Sequence, residues 1–251
     1  MTSSPATTFE DVLAEVADVE GWMTDDQARK LWNAARSVPE NGRIVEIGSF
    51  RGRSLIVLAS AATRGVEIVS IDPHAGNDRG PQEIEGFVDQ AVEDHDVFNR
   101  NLSEAGVADR VTHLRKFSDD ALGDVTGPID VLYIDGAHRF APARSDIVKW
   151  GAKVADGGDL LIHDSFSSVG VTLALVTTLF FGSDFRYVGR AQSMTHYRRH
   201  RMGPRERLRN GLRQLAELPW FARNVLIKVL IVAKLGSLTR FLGHDEPTWP
   251  Y

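Results

Sequence analysis

The chain has 251 residues, of which 43% are hydrophobic and 25% charged, and its formal net charge at pH 7 is -5. This composition indicates one globular domain with an appended segment, and the acidic balance gives no support to a nucleic-acid partner. The absence of cysteine excludes disulfide bridges, thiolate zinc sites and a cysteine nucleophile, and it favours a reducing, cytoplasmic location.

Residues 1–42 are predicted to form a helical lead-in. Apolar residues from Phe9 to Val16 recur at helical spacing, and Thr24 with Gln27 has the pattern of a capping box at the start of a second helix. Residues 1–8 lack the basic start and apolar run of a secretory leader, and no segment offers the roughly 18 uncharged apolar residues of a membrane span. We therefore expect no transmembrane span.

Residues 43–199 are predicted to form the main domain. Short apolar strands alternate with helical segments, at 43–47, 66–71, 111–114, 131–134 and 160–162, and a closing hairpin follows at 185–188 and 194–197. Such alternation is typical of a mostly parallel sheet with helices on both faces. The predicted fold class is therefore α/β and Rossmann-like, with the helical lead-in before the sheet and amphipathic helices after it.

Residues 200–251 are predicted to form a basic, amphipathic helical tail. This segment has nine basic and four acidic residues, so that its net charge is opposite in sign to that of the whole chain. We expect the tail to contact another subunit of a homo-oligomer, such as a dimer, or to cover the site. Binding to an anionic membrane surface is the alternative.

Glycines and an acidic residue follow the first two predicted strands. Gly48 and Gly52 come after the first strand and allow close approach of the backbone to a ligand, and Ser54 can start the next helix. Asp72 ends the second strand, about 20 or more residues past the glycine turn, where an acid can bind ribose hydroxyls.

Further polar residues follow the later strands: Ser118, Asp119, Asp135, His138, His163 and Asp164. Because the carboxyl ends of parallel strands share one edge of the sheet, we expect these side chains to face one crevice. His138 is a candidate general base. Asp135 and Asp164 are candidate ligands of Mg²⁺ or Mn²⁺, and an adjoining His163 would favour Mn²⁺.

Four segments together resemble the ordered motifs of class I S-adenosylmethionine-dependent methyltransferases: Val45–Ser49, Ile71–Asp72, Tyr133–His138 and Leu161–Asp164. Within that superfamily the chain is similar to bacterial O-methyltransferases of sugars and polysaccharides. The resemblance implies S-adenosylmethionine as cofactor, with the binding residues Glu46, Gly48, Ser49, Gly52, Ser54, Asp72, His74, Ser118, Asp119 and Asp135. The chain departs from the usual glycine-rich pattern at Phe50.

The resemblance implies methyl transfer to a hydroxyl of a sugar or polysaccharide precursor, a small-molecule or oligosaccharide acceptor. His138 and Asp135 would be catalytic, with a divalent metal at Asp135, Asp164 and His163. Trp22 and the segment containing Asn77, Asp78 and Arg79 are expected near the acceptor.

Two other functions are considered. A nicotinamide-dependent oxidoreductase would need G-x-G-x-x-G, which the first loop lacks. A non-catalytic methyltransferase-like domain would bind a partner or membrane through its basic tail.

Structural roles remain open for the same residues. Asp72 and Asp135 could cap turns, His138 and His74 could be loop residues, and His163 could support a metal ligand from behind. His95, His113 and His196 are predicted to be structural or surface residues.

Overall fold

The computed structural model describes residues 7–76 and 88–244 of the chain. Its strands are β1 Arg43–Ile47, β2 Glu67–Ile71, β3 Val111–Leu114, β4 Ile129–Ile134, β5 Val154–Ile162, β6 Phe185–Ala191 and β7 Met194–Arg199. Its α-helices are α1 Phe9–Glu15, α2 Asp25–Arg36, α3 Arg53–Ala61, α4 Val88–Glu104, α5 Phe140–Gly151, α6 Val169–Thr178, α7 Pro204–Leu215 and α8 Leu218–Val232. Two 3₁₀ helices are Ala108–Arg110 and Gly236–Leu242.

The seven strands form one sheet in the order β3-β2-β1-β4-β5-β7-β6. The first five strands run parallel, and β7 is antiparallel to both β5 and β6. The predicted Rossmann-like α/β fold is confirmed. The carboxyl ends of β1, β2, β4 and β5 therefore meet at one edge of the sheet.

Alternate residues of each central strand face opposite layers of the core. In β4, Val131 and Tyr133 pack in the cluster that contains α1, α2 and α3. Leu132 and Ile134 pack in the cluster that contains α5 and α6. Burial on both faces explains why β4 reads as a continuous apolar run.

Strand β5 begins earlier than predicted. The expected strand starts at residue 160, behind a glycine turn, whereas the observed strand starts at Val154. A register shift between β4 and β5 absorbs the extra residues, and Gly157 adopts φ 81 within it. The glycine pair thus forms a bulge inside the strand and does not end it.

Both lead-in helices begin with a capping box, which was predicted for Thr24 and is also found at Thr8. The side chains of Thr8 and Thr24 each accept a hydrogen bond from the backbone three residues later, and in both cases the reciprocal bond is present. Leu31 and Trp32 of α2 are buried in the core cluster that includes α3. Both helices thus extend one face of the sheet's core.

The tail helices pack against the sheet through buried amides. Asn210 Oδ1 accepts from the backbone N–H of Tyr187 at 2.7 Å, and Gln214 Oε1 accepts from the Tyr197 hydroxyl at 2.9 Å. From α8, Asn224 Nδ2 donates to a carbonyl of the loop after β5 at 3.2 Å. The division at residues 42 and 199 stays a prediction. No helix of the described residues is long and apolar enough to cross a membrane.

Candidate active site

The loop between β1 and α3 approaches the carboxyl end of β4 closely. Gly48 has φ 85, and a Cβ there would lie 2.2 Å from the carbonyl oxygen of Asp135. Gly52, with φ 88, precedes the first residue of α3. Only glycine adopts this conformation without strain, so the sequence allows the main chain of the loop to line the adjoining cleft.

The Asp72 carboxylate joins the turn after β2 to the glycine loop. Its Oδ2 accepts from the backbone N–H groups of Ser49 and Phe50, both at 2.9 Å, and its Oδ1 accepts from that of His74 at 2.7 Å. Asp72 therefore caps the turn after β2, as one of the two interpretations of this residue expected. Asp72 also lines the cleft, and its role as a ribose ligand stays a prediction.

Phe50, where the family pattern has glycine, takes a left-handed conformation with φ 44. Its backbone is held on both sides, since its N–H donates to Asp72 and its carbonyl accepts from His74 Nε2 at 2.8 Å. Its ring centroid lies 5.4 Å from that of Trp22, which also lines the cleft. These contacts offset the strain of a side chain at this position.

Glu46 lies fully buried beneath the cleft. The Ser54 hydroxyl donates to its Oε1 at 2.6 Å, while its Oε2 has no hydrogen-bond partner among the described residues. Burial raises the pKa of Glu46 to about 8. Ser54 itself lines the cleft, and its hydrogen bond joins the cleft to the buried Glu46 carboxyl.

The predicted cofactor-binding residues Ser118 and Asp119 lie apart in the structure. Ser118 lines the cleft and donates to Asp146 Oδ1 at 2.5 Å. Asp119 points away and binds Lys149 at 2.9 Å and Ser145 at 3.0 Å on the surface. The prediction for Asp119 is corrected here: Asp146, contributed by α5, lies beside Ser118 in the cleft.

Four predicted residues meet after β4 and β5. His138 Nε2 lies 2.5 Å from Asp164 Oδ2, and His163 Nδ1 lies 3.1 Å from Asp135 Oδ1 and 3.6 Å from Asp164 Oδ2. His163 Nε2 is buried without a hydrogen-bond partner in the described part of the chain. One ligand atom from each of Asp135, His163 and Asp164 lies within 4.8 Å of the others, so that the three could hold a metal ion.

The carboxylates and imidazoles of this cluster favour each other's charged forms. Burial disfavours the charged form of His163, but Asp135 and Asp164 outweigh it and hold the pKa of His163 well above its usual value. Burial likewise acts against ionisation of Asp164, but His163 and His138 hold the pKa of Asp164 well below its usual value. The cluster therefore combines anionic oxygens with two imidazoles in a largely buried setting.

The cleft has a volume of about 1130 Å³ and joins the glycine loop to this cluster. One wall is apolar and includes Trp22, Phe140, Val169, Val225, Val229 and Val232. The last three belong to α8, whose Lys228 donates to the Ser167 carbonyl at 3.0 Å. The tail therefore forms part of the cleft. Asn77, Asp78 and Arg79 lie outside the described residues.

Comparison with known proteins agrees with this geometry. Residues 45–165 match the family model described as a methyltransferase domain. The solved O-methyltransferase NovP superposes with a TM-score of 0.59 at 18% identity, covering 76% of this chain and 88% of that one. Cofactor-bound Rv0187 from MTB gives 0.54 at 20% identity, covering 79% and 91%. Residues 45–165 are therefore similar to a methyltransferase domain, and the chain shares the fold of these solved structures.

The chain is also similar to a third solved structure and to one longer protein sequence. The O-methyltransferase from Bacillus cereus in complex with SAH superposes with a TM-score of 0.51 at 16% identity, covering 76% of this chain and 90% of that one. An uncharacterized protein of Sinorhizobium fredii, y4gI, is 26% identical over 128 residues, which span 49% of this chain and 13% of that relative's length. The solved structures share the fold at these identities.

Three residues in or beside the cleft are absent from the sequence-based site prediction. Tyr133 is fully buried and donates to Asp135 Oδ2 at 2.9 Å. Asp146 and Lys228 are the others described above. Tyr133 lies two residues before Asp135 in β4, a spacing that places both on one face of the strand and could have indicated the contact.

Proposed function

We propose that the chain is a cytoplasmic, S-adenosylmethionine-dependent O-methyltransferase that methylates a hydroxyl of a sugar or polysaccharide precursor. The observation that carries the proposal is the pairing of His138 with Asp164 in the cleft that also contains the glycine loop. A carboxylate that orients an imidazole is the arrangement by which proteins build a general base.

The cleft fits the cofactor at its floor. Gly48 permits close approach of the main chain, Asp72 and Ser118 face the same space, and Ser54 joins that space to the buried Glu46 carboxyl. When bound, S-adenosylmethionine supplies an electrophilic methyl group on a sulfonium whose departure leaves a neutral thioether. The protein's task is then to orient the acceptor and remove its proton.

His138 would take the proton of the acceptor hydroxyl as the oxygen forms its new bond to the methyl carbon. Asp164, at 2.5 Å from His138 Nε2, would stabilise the resulting imidazolium. His138 keeps 30% of its side chain exposed, so it can return the proton to solvent after transfer. The Ser168 hydroxyl donates to the His138 carbonyl at 3.1 Å and fixes the loop that carries the base.

A divalent cation, Mg²⁺ or Mn²⁺, would be held by Asp135, Asp164 and His163. These residues fit because two carboxylates and one imidazole converge, with His163 Nδ1 facing both Asp135 Oδ1 and Asp164 Oδ2. Such an ion would make the acceptor hydroxyl more acidic.

The apolar wall favours a second acceptor class. Trp22 and the α8 valines line the cleft, and apolar side chains bind the apolar body of a ligand. A hydroxyl on an aromatic or lipid-like molecule is therefore the second candidate acceptor.

The test is methyl transfer from labelled S-adenosylmethionine to matched panels of sugars and apolar alcohols. We expect His138→Gln to lower turnover by about 10²- to 10⁴-fold while S-adenosylhomocysteine affinity stays unchanged. His200→Gln, at an exposed position, is the matched control. Full turnover of His138→Gln would remove His138 as base, and cofactor binding without turnover on either panel would favour the non-catalytic alternative.

The metal and the oligomer have separate tests. We expect a chelator to abolish turnover and Mg²⁺ or Mn²⁺ to restore it, and full activity in chelator would remove the metal from the proposal.

We also propose a homo-oligomer, since Leu226 and Val232 of α8 are 46% and 65% exposed. Light scattering of the purified chain would show a monomer if this is wrong.

A further inference from the structure

Three histidines meet behind the Asp72 turn, away from the Asp135 cluster. His74 follows β2, His113 lies in β3, and His95 lies on α4. Their ring centroids are 5.0 Å apart for His74 and His95, 5.1 Å for His74 and His113, and 5.6 Å for His95 and His113. One nitrogen of each ring lies within 4.8 Å of the others.

Two of these rings carry a nitrogen whose hydrogen-bonding capacity is unused. His74 Nε2 must donate to the Phe50 carbonyl at 2.8 Å, which leaves a lone pair on Nδ1. His113 Nδ1 lies 3.1 Å from Ser70 Oγ, which leaves Nε2. Both His74 Nδ1 and His113 Nε2 are buried without a hydrogen-bond partner within the described residues. A buried polar atom of this kind calls for a ligand.

Burial of His113 and His95 disfavours the charged imidazolium. Burial lowers the pKa of His113 to about 4. Burial, together with the nearby charge of Arg115, also lowers the pKa of His95. Metal binding requires neutral imidazole.

The ring spacing agrees with tetrahedral coordination. A zinc–nitrogen bond of about 2.0–2.1 Å at the tetrahedral angle places imidazole centroids about 5.2 Å apart. The three observed separations, 5.0, 5.1 and 5.6 Å, bracket that value.

We propose that His74, His95 and His113 form a binding site for a divalent transition-metal ion of the Zn²⁺ class, separate from the Asp135 cluster. Three imidazoles suit Zn²⁺, and water would complete the coordination. The ion would join β2, β3 and α4. It would also hold His74, whose backbone N–H and ring bond to Asp72 and to the glycine loop. The site would therefore support the cofactor cleft from behind, and its existence does not depend on methyl transfer.

The experiment is a titration of the full chain with Co²⁺ and Zn²⁺, read by the visible absorption of tetrahedral cobalt, by metal content after dialysis and by thermal midpoint. His95→Gln is the main variant, because His95 is half-buried on α4 and its loss is least disruptive to folding. His113→Gln is the second variant. Asp135→Asn reports on the other cluster, and exposed His200→Gln is the matched control.

We expect the wild type to bind one equivalent with a cobalt spectrum typical of nitrogen ligands, beside any ion held by the Asp135 cluster, and Zn²⁺ to raise its thermal midpoint. His95→Gln and His113→Gln each remove a ligand and should weaken this binding by more than the about 10- to 100-fold that loss of a ligand's hydrogen-bond partner causes. Asp135→Asn and His200→Gln should retain it. An unchanged spectrum in His95→Gln, its loss in Asp135→Asn alone, or no bound metal in the wild type would overturn the proposal.

Discussion

Because Glu46 is buried, we expect the free energy of unfolding to depend on pH in an unusual way. Its pKa is 4.5 in the unfolded chain and about 8 in the folded protein, where burial disfavours the carboxylate. Between these values the folded protein keeps a proton that the unfolded chain releases, so the free energy of unfolding falls as pH rises from 4.5 and levels off above 8. At about 1.4 kcal/mol per unit of pKa, the full loss has an upper bound of about 5 kcal/mol.

Glu46→Gln removes this penalty, because glutamine has nearly the same shape and stays neutral. Relative to the wild type, the variant should gain about 2–4 kcal/mol of stability between about pH 5 and pH 9, allowing for local relaxation around the buried charge. Urea unfolding at each pH, analysed at constant slope, measures the difference. Exposed Glu40→Gln is the control and should show a flat difference. A flat profile for Glu46→Gln as well would mean that Glu46 is already ionised in the folded protein.

Two further predictions concern the cofactor cleft. Asp72→Asn should weaken S-adenosylhomocysteine binding by about 10- to 100-fold in calorimetric titration, because it removes a charged acceptor; Asp119→Asn, on the surface, should bind normally, and equal losses in both would contradict the assignment. Gly48→Ala should cost about 3–5 kcal/mol in thermal unfolding, because its Cβ would lie 2.2 Å from a backbone oxygen at φ 85. Gly123→Ala, where a Cβ meets nothing within 4 Å, should change stability by less than about 0.5 kcal/mol, and a similar cost in both would argue against the close approach.

The sequence allows the strand ends to be predicted because their signals are local. A glycine or an acid after an apolar run is recognisable without knowing the fold. Gly48, Asp72, Asp135 and Asp164 could therefore be identified from the sequence. The position of Asp146 beside Ser118 could not be identified in this way, because it depends on where α5 packs against the loop after β3.

Contacts between loops could not be predicted from the sequence for the same reason, because they depend on how the elements pack. The pairing of His138 with Asp164 requires β4 and β5 to be adjacent and in register. Likewise His113 reaches His74 because β3 pairs with β2 so that Ser70 lies opposite His113. A reading of single residues assigns these histidines separate structural roles, and only the register brings them together.

The α8 wall has a consequence for how acceptor choice can change. Val225, Val229 and Val232 line the cleft, yet they lie outside residues 45–165, which match the methyltransferase domain. Substitutions on that face of α8 can reshape the space offered to an acceptor while Glu46, Asp72 and the His138–Asp164 pair keep their positions. Under the proposed function, part of the acceptor's surroundings would then lie outside the stretch that carries the candidate base, and exchange of the tail alone would be a route to new acceptors.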